Sequence, residues 1–147
     1  MTEFFLAPGK SALRQDEMIT EIHVPALPER AKCLYLKHSL RRMDVAMAGA
    51  AVLVSLDGDV CREVRIALGA VAPTPLRARK AEQALKGKRL AGNSTEADLL
   101  EEVSRIAVGE SSPIDDLRGY ATYRRRIVGM MVKPGLGQAI ARAREDA

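Results

Sequence analysis

The chain contains no tryptophan, and only five of its 147 residues are aromatic: Phe4, Phe5, Tyr35, Tyr120 and Tyr123. A groove that stacks nucleobases needs more aromatic surface than this. Histidine is scarcer still. His23 and His38 stand alone, too few for a His-based catalytic cluster. Cys33 and Cys61 are far apart and form no CxxC pair, which excludes a disulfide framework and argues against a Cys-based zinc site. They read as two reduced thiols, and no metal ligands are assigned. No apolar run approaches the roughly 18 residues that a spanning helix requires. No basic segment followed by an apolar stretch opens the chain, so no secretory signal is read. A cytoplasmic setting with no membrane partner is expected. Catalytic signatures are missing too: the sequence has no GxSxG, P-loop, HExxH or GxGxxG. Gly135-Leu136-Gly137 is too incomplete for a phosphate loop and reads as a helix-breaking linker.

What is present suffices for one domain over 1–147. Apolar residues make up 47% and charged residues 29%, enough to bury a core and against wholesale disorder. The net charge is 23 − 19 = +4, too weak by itself to indicate a nucleic-acid binder. The pattern changes near residue 72, with strands before it and helices after it. That order predicts an α+β fold, a two-layer sandwich with an antiparallel sheet of three to four strands packed against three helices.

Strands are predicted at Thr20 to Val24, with Thr20, Ile22 and Val24 on one face, and at Lys32 to His38. In the latter, Leu34 and Leu36 face one way and Cys33, Tyr35 and Lys37 the other. Val45 to Leu56 and Val60 to Ala70 read as a hairpin joined at Asp57-Gly58. In its second arm Val60, Val64, Ile66 and Leu68 share a side, and Arg62 breaks the pattern. Helices follow from Leu76 to Lys86 and from Thr95 to Val108, the latter with Ser94 as N-cap. A third starts after Ser112-Pro113 or Asp115-Asp116 and runs to Lys133, with Leu117, Tyr120, Ile127, Val128 and Met131 inward. Pro134-Gly135 is expected to break or kink it before a last turn or two from Leu136 to Arg144.

Several clusters carry charge. Arg124-Arg125-Arg126 reads as a solvated helix face, with phosphate binding as the alternative. Arg77, Arg79, Lys80, Lys86, Lys88 and Arg89 make a second basic group, and Glu96, Asp98, Glu101 and Glu102 an acidic helix face. These features suit solubility or charge-matched docking. Asp115-Asp116 reads as helix capping rather than an acid–base couple. Met43, Met47, Met130 and Met131 read as core fillers. Lys37, at a strand end with Arg41 and Arg42 close behind, either guards a sheet edge or holds an anion.

The segments DEMITEIHVP (Asp16 to Pro25) and YLKHSLRRMDVAMAGAAVLV (Tyr35 to Val54) resemble the C-terminal domain of flavoprotein subunits in the molybdenum hydroxylase family. That family includes aerobic carbon monoxide dehydrogenase and xanthine dehydrogenase. RIALGAVAPTPLRARKAEQALKGK (Arg65 to Lys88) and SSPIDDLRGYATYRRRIV (Ser111 to Val128) follow in the family's order, the latter with its P-x-x-D-x-R-x-x-x-x-Y-R pattern. The resemblance implies a domain that closes over FAD in an electron-transfer subunit. FAD would be shared with glycine-rich N-terminal domains or a partner chain that carries them. The further implied partners are an iron–sulfur subunit and a molybdenum subunit, which alone hold the clusters and the molybdopterin. Two contacts carry over: Ile19 packing against the cofactor, and Lys37 reaching the flavin, where an ammonium stabilises added negative charge. Arg42 and Asp44 are taken as a loop brace. No catalytic residue is assigned, since the domain by itself performs no chemistry. The alternative is a standalone interaction or dimerisation module without flavin, and self-association stays open. Nucleic-acid binding by the basic helices is a third reading, disfavoured by the scarce aromatics.

Overall fold

The computed structural model describes residues 3–41 and 43–145. A small hairpin, β1 (Phe5–Ala7) with β2 (Lys10–Ser11), precedes an irregular segment over 12–31. The main sheet follows: β3 (Lys32–His38), β4 (Ala48–Asp57), β5 (Val60–Gly69) and the short β6 (Leu76–Arg77). Its strands lie in sequence order and all pair antiparallel. Three helices, α1 (Arg79–Leu85), α2 (Ser94–Glu110) and α3 (Ala121–Glu145), cover one face. The expected α+β two-layer sandwich is the observed architecture.

Period-two burial explains the sheet. Ala48, Ala50, Val52, Val54 and Leu56 of β4, with Val64, Ile66 and Leu68 of β5, belong to the core beneath the helices, and Leu34 and Leu36 of β3 pack against it. A two-residue connection, Gly58-Asp59, joins β4 to β5, and Gly58 takes φ +55° as such turns require. The sequence irregularity at Arg62 has a structural cause. Ser55 pairs with Glu63 but Leu56 pairs with Cys61, so Arg62 is the extra residue of a bulge. The bulge resets the alternation, placing Cys61 in the core and leaving Val60 partly exposed.

Other expectations need correction. Thr20–Val24 forms no strand. It is irregular and exposed, because alternation alone supplies no neighbour to take its backbone groups. The strand read from Val45 begins at Ala48, and Val45 is exposed. Leu76 and Arg77 pair with β5 before α1 begins. Asn93, not Ser94, caps α2, its side chain accepting from the Glu96 N–H at 3.2 Å. Met47 and Met131 are core residues, whereas Met43 and Met130 are exposed.

The largest departure is α3, which starts at Ala121 and runs unbroken through Pro134 to Glu145. Leu117 and Tyr120 precede it and are exposed. A proline at 134 removes one helical donor and crowds the carbonyl of Met130. Both residues lie on the outer side of α3, where water can take the released carbonyl. Gly135 faces inward for a packing reason. A Cβ there would come within 2.9 Å of Leu36 Cδ1 and 3.4 Å of Val52 Cγ2, so its absence lets α3 settle directly on β3 and β4.

Two outcomes follow. Gly135→Val should cost about 2 kcal/mol or more in denaturant unfolding, because it overpacks the helix–sheet contact, whereas Pro134→Ala should leave the fold intact and raise Tm by restoring a helical donor. Burial pushes the Cys61 thiol from 9.0 up to about 11, against the opposing charge of Lys86, while Cys33 is exposed. A thiol reagent at pH 8 should therefore titrate one cysteine quickly in the native protein and two after denaturation. The unfolded chain releases the Cys61 proton first, so stability should fall as pH rises from 9.0 towards about 11.

Candidate functional site

The two residues carried over by resemblance lie on different elements. Lys37 stands near the end of β3, an edge strand of the sheet, and points away from the helices with Cys33 and Tyr35. In register, Lys37 lies opposite Gly49 and then Gly69, and Tyr35 opposite Ala51 and then Ala67. The surface beside Lys37 is therefore a floor of backbone and single methyls. Tyr35 rises from it and leans over Gly49, where a Cβ would meet its hydroxyl at 2.8 Å. The Lys37 ammonium makes no hydrogen bond or ion pair among the described residues. An ammonium held beside a flat floor and a phenol ring suits an anionic planar ligand, whose face would rest on the floor and whose edge would meet the charge.

Ile19 lies in the irregular 12–31 segment and is 51% exposed. Met18, Ile22, Val24 and Leu27 around it are also exposed. The segment holds a local turn, the Arg14 N–H donating to Glu17 Oε2 at 2.8 Å, and is tied to the sheet near its far end, where Ser55 Oγ donates to the Glu29 carbonyl at 3.0 Å. No hydrogen bond links Ile19 to Lys37.

The loop after β3 is braced, as expected for Asp44. Its Oδ2 accepts from the Arg41 N–H at 3.1 Å, and its own N–H returns to the Arg41 carbonyl at 3.0 Å. Ser39 Oγ donates to that same carbonyl at 2.7 Å. Arg42 lies outside the described residues. A cavity of about 350 Å³ opens between this loop and the entry to α3, lined by Leu40, Asp44, Val45, Met47 and Arg118.

Sequence reasoning missed the contacts that set this corner. His38 Nε2 lies 3.0 Å from Tyr123 Oη, joining the end of β3 to the first turn of α3. Arg124 is not on a solvated face. It is 6% exposed and forms a close ion pair with Asp116. Its Nη1 also reaches the Ala70 carbonyl at 3.4 Å. Asp115 plays the capping part, its Oδ1 accepting from the Ala121 N–H at 2.5 Å. A signal for these contacts was present, since Asp116, Arg118, Tyr123 and Arg124 are the fixed positions of the P-x-x-D-x-R-x-x-x-x-Y-R pattern. Arg125 and Arg126 do face solvent. Among the described residues, no three His, Cys, Asp or Glu side chains gather as a metal site, and no helix is long and apolar enough to cross a membrane.

Comparison with known proteins gives this geometry a setting. The family described as "CO dehydrogenase flavoprotein C-terminal domain" matches residues 34–139. The carbon monoxide dehydrogenase medium chain of Hydrogenophaga pseudoflava is 35% identical over 139 residues, covering 95% of this chain and 47% of that protein. The xanthine dehydrogenase FAD-binding subunit of Escherichia coli O157:H7 is 30% identical over 142 residues, again covering 95% and 47%. A solved structure of the Hydrogenophaga pseudoflava carbon monoxide dehydrogenase superimposes with a TM-score of 0.87 at 37% identity, over 96% of this chain and 47% of the other. A Cu,Mo-CO dehydrogenase gives 0.84 at 29%, over 95% and 47%. The chain spans about half the length of the relatives it matches.

The Arg124 pair has a measurable pH signature. The Arg124 guanidinium, helped by the Arg118 N–H, holds the Asp116 carboxyl below the usual carboxylate range. On acidification the unfolded chain takes up that proton first, so the pair's contribution is present above a pH of about 4 and is lost as pH falls through the folded value. Asp116→Asn should lower Tm at pH 7, and the gap from wild type should close in melts taken towards pH 2.5.

Proposed function

The chain belongs to the CO dehydrogenase flavoprotein C-terminal domain family, and from that premise we propose that it forms one wall of an FAD site in the electron-transfer subunit of a molybdenum hydroxylase. The observation that carries this reading is Lys37, an unpaired ammonium beside the Gly49 and Gly69 floor. Two relatives support it by their names, a carbon monoxide dehydrogenase medium chain and a xanthine dehydrogenase FAD-binding subunit.

FAD would supply the redox chemistry, taking up electrons and handing them on. The chain's own residues do the rest. Lys37 places a positive charge at the edge of the flat surface, which favours the more negative, reduced form of a bound ring. Tyr35, laid over Gly49, offers a face on which a ring can lie. Ile19, on its exposed apolar segment, would pack against the cofactor. The glycine-rich elements that grip FAD come from N-terminal domains or from a partner chain that carries them. An iron–sulfur subunit and a molybdenum subunit complete the complex in the cytoplasm and hold the clusters and the molybdopterin, so this domain closes over the flavin without performing catalysis itself. This reading is preferred to a flavin-free interaction module because the module gives no reason for an unpaired lysine beside a tyrosine laid over a glycine.

Fluorescence titration of FAD tests it, using the chain alone and the chain mixed with the complementary half of a related medium subunit. Weak binding by the chain alone and tight binding by the mixture are expected. Lys37→Ala should weaken the mixture's affinity about tenfold, close to 1.4 kcal/mol. It should also lower the reduction potential of the bound flavin, and Lys37→Arg should restore most of that potential. If FAD binds under neither condition, the interaction-module reading takes its place.

A further inference from the structure

On the opposite side of the sheet from β3, a groove of about 560 Å³ runs between β5 and α1. Five cationic side chains line it: Arg62 and Arg65 from β5, Arg77 from β6, and Arg79 and Lys86 at the two ends of α1. Two of them are neutralised within the fold. Arg65 Nε donates to Glu63 Oε1 at 2.6 Å, and Arg77 makes a two-pronged contact with Glu82 at 2.7 and 2.8 Å. The Ile66 N–H also donates to Glu82, at 2.8 Å, so that carboxylate is committed. Arg62, Arg79 and Lys86 remain exposed with no carboxylate partner among the described residues.

Three features define what would fit. First, the free charges are spread out. Arg79 and Lys86 are seven residues apart, about 10 Å along a helix, and Arg62 stands on the opposite wall. That spacing suits several carboxylates on an extended chain better than one compact phosphate, whose oxygens need donors converging on a point. Second, the outer edge of β5 is closed on either side of the groove. Cys61 exchanges backbone hydrogen bonds with Gly87 and Lys88 at 2.8 and 2.9 Å, and Ile66 is bonded to the Ala78 N–H and to Glu82, each at 2.8 Å, so an occupant is held by side chains between these caps and not by adding a strand. Third, the bulge at Arg62 turns this side chain out of the sheet's alternation. We propose that this groove is a docking site for an extended acidic segment of another protein chain, lying between β5 and α1 with its carboxylates on Arg62, Arg79 and Lys86. The site does not depend on flavin binding, since it uses none of the residues around Lys37.

Fluorescence anisotropy with a fluorescein-labelled hexaglutamate peptide tests this, using the full chain at low ionic strength. Saturable one-to-one binding is expected. The triple variant Arg62→Ala/Arg79→Ala/Lys86→Ala should weaken it at least tenfold. A charge-matched control, Arg125→Ala/Arg126→Ala/Arg142→Ala, alters three exposed cations elsewhere and should weaken it less than threefold. The single reversal Arg79→Glu, on an exposed position, gives a second readout should the triple variant fail to fold. Pyrophosphate should displace the peptide only at much higher concentration. Equal losses in the two triple variants would reduce the binding to net charge and overturn the proposal. So would tighter binding of pyrophosphate, which would make the groove a small-anion site. Self-association abolished by the groove variant would overturn it as well, because the occupant would then be the acidic face of α2 from a second copy.

Discussion

Arg124 holds the molecule's working corner together. Its guanidinium is buried at the start of α3, pairs with Asp116 in the preceding loop, and touches the carbonyl of Ala70 just past β5. Ala70 itself takes φ +61°, an unfavourable conformation for a residue with a side chain. One cation thus joins the helix layer, the loop over 113–120 and the turn out of the sheet. Its Nε has no partner, so the charge relies heavily on Asp116 for compensation. Arg124 is buried whereas Asp116 is exposed, so removing the carboxylate leaves a buried charge without its partner.

The placement of Tyr123 follows from that anchor. Arg124 fixes the first turn of α3, and the residue before it reaches His38 at the end of β3. Further along, Gly135 lets the same helix rest on Leu36 and Val52. α3 therefore secures the C-terminal end of β3 twice, and β3 is the strand that carries Tyr35 and Lys37. An edge strand with only one neighbouring strand would otherwise fray. The two faces of β3 differ, with Leu34 and Leu36 in the core contact and Lys37 exposed on the opposite side.

The sheet and the helices were largely legible in the sequence. Period-two alternation marked β3 and the β4–β5 hairpin. Errors arose where local pattern met tertiary geometry. Thr20, Ile22 and Val24 alternate like a strand, yet the fold provides nothing for them to pair with. Pro134-Gly135 looks like a stop, yet the proline sits on the wet side of α3 and the glycine on the packed side. Leu117 and Tyr120 continue the spacing of an inward helical face, yet the helix begins only at Ala121. Of the two site residues, Lys37 occupies a surface whose shape can be described, whereas Ile19 lies on a segment that receives little definition from the rest of the domain.

By itself, the sequence determined the class of fold, the phase of its strands and the order of segments that marks its family. These depend on spacing along the chain, and spacing is local. Only the tertiary structure decided that Arg124 is a buried anchor rather than one of three solvated arginines, and that Tyr35 covers Gly49. It also decided that the free cations Arg62, Arg79 and Lys86 share one groove. Each of these depends on which residues distant in sequence become neighbours. That is set by how α1 and α3 pack on the sheet, and no periodicity within a single segment encodes it.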